Sequence, residues 1–364
     1  MKYYSIFAFL LLFALQSEAK QPLLSKKQLN SPPPRIIRTC CSFGSEVGVM
    51  GLPGLKVSDI SSVADLGPHE YLGSDLEGNG IIYTKKGGFI DMGHLRDQAD
   101  WTAYLFSHIM KNKESGLAIQ RLGYEGGAKI LTVLPPRKMK AEDVMKLAGK
   151  IAYDLSVWHE IATWFGASYI PLLPERFSSF SVEDAYSNLL GVHIGIKALQ
   201  SELPYEEAMT KLIYETLESL EAVESIQETH DAMESVHNLW WTRDKSLPSK
   251  NILLYRQLDI YPEVNPLTVP DWKNENPLPA LSVPLLTSDE KPLNQFYHLE
   301  FKVNIRFPYR ALFPMRKGRW VTPDDFGILI NQVGKDLEES EEKKLRIAER
   351  KAARRNTQLE RRSR

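Results

Sequence analysis

One stretch limits what this chain can fold into. Across 141–165 the apolar residues recur at helical spacing, with Val144, Leu147, Ala148, Ile151, Leu155, Trp158, Ala162 and Phe165 on one seam. A helix of that length with so wide an apolar face must lie inside a core. His159 and Glu160 sit side by side on it, between Trp158 and Trp164. His159 follows Leu155 by one turn, at the edge of the seam, and is expected to face the core. Glu160 lies about 100° further round, on a flank shared with Tyr153, Ser156 and Trp164. An imidazole and a carboxylate pressed against two indoles are costly unless partners satisfy them. A functional site is therefore expected here.

The rest of the composition sets outer bounds. At 364 residues, 43% apolar and 25% charged, the chain is of globular type with room for a sizeable core. Its 45 Lys and Arg nearly balance its 46 Asp and Glu, so no bulk charge points to nucleic acid. The N-terminus points to export. Lys2 precedes an apolar run over 6–15, and Ser17-Glu18-Ala19 offers small residues at a cleavage site, so residues 1–19 read as a signal peptide. The run is short for an uncleaved anchor, and no Cys follows the cleavage site as a lipoprotein would require. The two cysteines, Cys40 and Cys41, are neighbours. A disulfide between them would be strained, so no disulfide framework is expected. They read as small buried residues, a redox or metal-binding pair, or a thiol nucleophile.

Residues 20–35, ending in three consecutive prolines before Arg35, have linker composition. The glycine-rich segment after the cysteines is a loop that matches neither a phosphate loop nor a dinucleotide fingerprint. Strands are expected at 81–84, 89–91 and 129–134, and a helix at 94–110 carrying His94, Asp97, Gln98 and Trp101 on one face. A helix starting at Ser181 as N-cap carries Asp184, Asn188, Gly191 and Gly195 as a small and polar stripe, which lets another helix or a ligand approach closely. Helices at 205–223 and 224–241 follow, then strands at 251–260 and 296–305, and a helix start at 322–325. The chain thus reads as α+β. A mainly helical domain with short strands spans 36–245, a smaller strand-containing part 246–335, and a charge-segregated helical tail 336–364. That tail is either a solvated end or a contact for an anionic membrane surface.

Several chemistries fit these residues. Thr163 stands where a zinc protease motif beginning at His159 would need its second histidine, and Glu234–His237 is a lone E-x-x-H pair, so the common metal motifs are absent. A composite site remains, with His94, Asp97, His159 and Asp184 as ligands to zinc or a harder divalent ion. In it Glu160 is general base or ligand, the histidines are ligands or proton carriers, Asn188 orients, and Trp101 and Trp164 contact substrate. A second possibility is thiol-dependent acyl transfer by Cys40 or Cys41 with His94 or His159 as base. A third is acid–base chemistry by His and Glu alone. A fourth is a non-catalytic binding or structural protein, with His159 a core histidine and Glu160 paired to an arginine such as Arg96.

At GGFIDMGHLRDQADWTAYL, WHEIATWFG and FSVEDAYSNLLG, with RTCCSFG upstream, the chain resembles a family of exported bacterial proteins, the domain of unknown function 4056. The resemblance spans roughly residues 38–200 and implies export to the bacterial envelope, periplasmic or secreted, with no established reaction. The favoured expectation is an envelope hydrolase or transferase, metal-dependent in one version, acting on a cell-wall or lipid-linked substrate.

Overall fold

The computed structural model describes residues 31–38, 42–56, 59–168, 175–270, 272 and 280–362. The signal peptide expected at 1–19, the linker up to residue 30, and Cys40 and Cys41 lie outside the described residues. The glycine-rich segment forms a hairpin of β1 (Gly48–Val49) and β2 (Leu52–Lys56). A second hairpin, β3 (Ile81–Thr84) and β4 (Gly88–Asp91), leads directly into α1 (Met92–Asn112). Asp91 makes that junction, because its carboxylate accepts the His94 N–H at 2.9 Å and satisfies a donor the helix start leaves open. Next come β5 (Ala118–Tyr124), β6 (Ala128–Val133), α2 (Ala141–Trp164), α3 (Asp184–Gln200), α4 (Tyr205–Ser219) and α5 (Ile226–Ser235). The remainder is β7 (Glu263–Val264), β8 (Leu281–Ser282), β9 (Tyr297–Lys302), α6 (Tyr309–Leu312), β10 (Trp320–Val321) and α7 (Phe326–Arg362). The fold is α+β, helical in its N-terminal part with short strands, as the sequence pattern implies.

Helices α1, α2 and α3 pack together, and the glycine stripe sets how closely. A Cβ on Gly191 would lie 2.0 Å from the Leu95 carbonyl oxygen, and one on Gly195 would lie 2.9 Å from the Ala99 Cα. Backbone therefore meets backbone between α1 and α3. Both pairs advance by four residues, so the two helices run in the same direction and their starts lie at the same end. On its other side α2 covers an antiparallel sheet of order β10-β9-β6-β5. Leu131 pairs with Leu299 across β6 and β9, and burial alternates along both strands. Trp158, fully buried, stacks on Phe301 at 4.2 Å and on Phe307 at 5.6 Å between ring centroids. Burying a side chain of that size contributes about 2–3 kcal/mol before any stacking term. Strands from both sides of position 245 share this sheet, and one apolar core runs from Leu66 to Val333.

Several local expectations change. Residues 251–260 form an irregular segment with an isolated bridge at Leu253, not a strand. Burial there comes in pairs, Ile252 with Leu253 and Arg256 with Gln257, which the two-residue period of a strand cannot satisfy. Helix α3 is capped at Glu183, two residues after Ser181, whose hydroxyl donates to the Glu183 carboxylate instead of to the helix start. Helix α5 begins at the Ser225 capping box and ends six residues before Trp241.

The close approach of α1 and α3 yields a direct test. Gly191→Ala forces them apart and is expected to cost about 1–3 kcal/mol, read as a lower denaturant midpoint. Gly327→Ala in α7, where a Cβ would meet nothing within 4 Å, serves as the control and should hold or raise the midpoint. Equal midpoints for the two variants would contradict the packing.

Candidate functional site

A narrow crevice opens where the three helices meet. α1 contributes His94, Asp97, Gln98 and Trp101, α2 contributes Leu155, Ser156 and His159, and α3 contributes Asn188. Glu125 and Lys129 enter from the β5–β6 hairpin, and Arg35 and Ile36 close it from the segment that follows the prolines. Its volume is about 30 Å³. A single water needs about 10–15 Å³ on this measure, so the crevice admits an ion or a couple of waters but not a sugar ring. His94 and His159 face each other across it, ring centroids 6.4 Å apart and planes at 73°.

Each histidine has its own carboxylate. His159 Nδ1 lies 2.7 Å from Glu125 Oε1, and Arg35 Nε contacts the same oxygen at 2.5 Å while Lys129 Nζ holds Oε2 at 2.9 Å. Burial would raise the Glu125 carboxyl, yet Lys129, His159 and Arg35 together hold it well below the usual carboxylate range. An ionised Glu125 accepts, so Nδ1 is the protonated nitrogen and Nε2 is the ring's remaining proton site. Arg35 also reaches Glu175 at 2.5 Å, which ties the residue 31–38 segment across the crevice.

On the opposite side His94 Nδ1 lies 3.3 Å from Asp184 Oδ1, and Asp91 completes a trio whose ligating atoms all fall within 4.8 Å of one another. All three residues are buried, as are the neighbouring Glu160 and Glu183. Asp91 Oδ2, Glu160 Oε1 and Glu183 Oε1 have no hydrogen-bond partner among the described residues. Burial first, then the adjoining carboxylates, push the Glu183 carboxyl up to about 8 and that of Asp184 well above its ordinary value, although His94 pulls both down. Arg256 is the guanidinium that feels Glu160 and Asp184, and burial lowers it to about 10. Its N–H groups are committed to the carbonyls of Arg176, Phe177, Ser179 and Lys250, so it braces the loop before α3.

The residues anticipated from sequence fall into two groups. His94, Asp97, Trp101, His159 and Asn188 converge on the crevice. Asp97, however, spends its oxygens on the Ile37 and Arg38 N–H groups and the Arg38 guanidinium, at 3.1, 3.3 and 3.0 Å. It anchors the covering segment, and burial raises its carboxyl to about 6 despite Arg38. Trp164 lies away from the crevice, with Arg176 3.9 Å above its ring and its Nε1–H donating to Asp336 at 3.0 Å. Glu160 is more buried than His159, the reverse of the seam geometry, and accepts the Phe180 N–H at 2.5 Å. Its suggested partner Arg96 pairs with Glu77 instead, at 3.1 Å. Asp91, Glu125, Glu183 and Arg256 were not anticipated. Asp91 could have been found as an Asp three residues before His94 at a helix start, whereas a glutamate in a glycine-rich turn carries no periodic signal.

An α+β protein with a buried His–carboxylate site between three helices is the class these observations define. The family described as "Protein of unknown function (DUF4056)" matches residues 28–270, more than half of the chain, and the chain belongs to it. No curated protein and no solved structure matches.

The Glu125 network fixes a pH dependence. A carboxyl whose pKa is lowered by folding contributes stability above its unfolded value, near 4.3, and loses it as pH falls toward the folded value. Glu125→Gln should therefore destabilise the protein by roughly 3 kcal/mol at neutral pH. Unfolding curves should converge with the wild type only below about pH 4. A constant gap down to pH 2 would contradict the assignment.

Proposed function

We propose that the chain is an enzyme of the bacterial envelope, a hydrolase or transferase, whose site combines a divalent cation held by Asp91, His94 and Asp184 with the His159–Glu125 pair as proton carrier. The observation that carries this reading is the charge imbalance around His94. Among the described residues four buried carboxylates, Asp91, Glu160, Glu183 and Asp184, gather about one imidazole and one guanidinium. A buried excess of negative charge must take up protons or a cation. Two carboxylates and an imidazole at this separation suit zinc or manganese. Such an ion supplies Lewis acidity and a bound water of lowered pKa. Across the crevice His159 Nε2 accepts or returns a proton while Glu125 fixes the ring and stabilises its charged form. Asn188 and Gln98 offer amides to orient a reacting carbonyl or phosphoryl group.

The same two His–carboxylate pairs support a metal-free acid–base version, in which His94–Asp184 and His159–Glu125 serve as acid and base. Under either version the substrate presents only its reacting bond to so small a crevice, and the covering segment at Arg35 must move to admit it. A cell-wall or lipid-linked substrate is the proposed class, supported by the signal peptide expected at residues 1–19. Among the described residues no helix is long and apolar enough to cross a membrane, and the basic end of α7 is the proposed contact with anionic headgroups.

Metal content by elemental analysis, with melts in the presence and absence of chelator, tests the cation. The wild type should carry about one divalent ion per chain and lose several degrees of melting temperature to chelator. Asp184→Asn should lose the ion yet melt, without metal, no lower than the metal-free wild type, because it removes a buried charge. No uptake and chelator-insensitive melts would overturn the metal version. Release of soluble fragments from isolated envelope material, present in the wild type and lost in His159→Ala, tests catalysis in either version.

A further inference from the structure

We infer that a second cleft, between α2, the 285–297 segment and the start of α7, binds an uncharged amphiphile: an apolar chain ending in a hydroxyl or ester group. The cleft is about 680 Å³, far larger than the crevice and within the roughly 300–1,000 Å³ typical of small-molecule sites. None of its lining residues belongs to the crevice, so the inference stands independently of the proposed reaction.

The walls are apolar and open to solvent. Leu285, Leu286 and Tyr261 are 38%, 48% and 38% exposed, and all three line the concavity. Apolar side chains left wet around a concave surface mark a binding site more often than scattered ones on a convex face. Helix α7 keeps the space clear, since Gly327 lines the cleft and a Cβ there would meet nothing within 4 Å. A helix would be better served by almost any other residue at such an open position.

The floor selects against charge. Lys150 Nζ lies 2.6 and 2.8 Å from the two Asp154 oxygens and 2.9 Å from the Tyr297 hydroxyl, with the Tyr261 ring centroid 5.2 Å away. Tyr297 in turn donates to Asp154. The ammonium thus has acceptors for its protons and its charge is cancelled in place, leaving none to attract an anionic head. Asp324, exposed at the rim, repels an anion further, and a cationic head would find the Asp154 carboxylate already spent on Lys150 and Tyr297. A hydroxyl or ester can bond to the Tyr261 hydroxyl or to the Asn294 and Asn331 amides without that penalty.

Calorimetric titration of the full chain with 1-decanol, decanoate and decyltrimethylammonium tests the inference. Decanol should bind saturably at one site, with both charged analogues at least tenfold weaker. Gly327→Trp should weaken decanol binding at least tenfold while the melting temperature is retained, and Ile330→Trp takes its place if that variant does not fold. Absence of saturable decanol binding, equal affinity for a charged analogue, or unchanged decanol binding by a folded cleft-filling variant would each overturn it.

Discussion

The backbone contact between α1 and α3 is the constraint on which the site depends. With Gly191 against the Leu95 carbonyl and Gly195 against Ala99, no side chain separates the helices, and their parallel direction brings both N-termini to one place. Asp91 caps the first, Glu183 and Asp184 start the second, and Glu160 of α2 approaches from the side. Two helix starts offer roughly half a positive charge each, which favours carboxylates there. That sum, with Arg256, falls short of four ionised carboxylates among the described residues, and burial together with this crowding raises the Glu183 and Asp184 carboxyls.

A second buried network in the same protein shows what a balanced cluster looks like. Arg38 reaches Glu77, Asp97 and Asp100 at 2.6, 3.0 and 3.0 Å, Arg96 pairs with Glu77, and His69 lies 3.0 Å from Asp100. Each of the three carboxylates has a guanidinium within 3.1 Å, and the His69 ring and the Tyr205 hydroxyl add contacts to Asp100. Burial would lower Arg38, but its three acidic neighbours hold it above its ordinary value instead. This network fastens the segment preceding the cysteines to α1, a structural task that needs no added ion. The cluster at Asp91 lacks such partners among the described residues, and that difference is why an ion is proposed there and none at Arg38.

Much of this arrangement was legible in the sequence because helical periodicity reports which face a residue occupies. The seam of α2, the polar faces at His94 and Asn188 and the glycine stripe of α3 all followed from spacing, and the structure brings those faces together. What spacing could not report is the partner supplied by a turn. Glu125 reaches His159 because Gly127 lets the hairpin press against β9, where a Cβ would lie 1.2 Å from the Lys302 carbonyl oxygen. Arg256 reaches the loop before α3 from a segment whose apolar content suggested a strand. Its backbone is instead drawn into irregular contacts that aim one guanidinium at four carbonyls. Trp164, one turn beyond Glu160 on the same helix, is instead held between Arg176 and Arg256.

The carboxylates gathered at the two helix starts are proposed to hold a cation. Anomalous diffraction from crystals grown with manganese addresses it most directly. One strong peak is expected within coordinating distance of Asp91, His94 and Asp184, with the His159–Glu125 pair intact across the crevice. Well-ordered crystals with no peak there, and with Asp184 still against His94 as it stands without the ion, would contradict it.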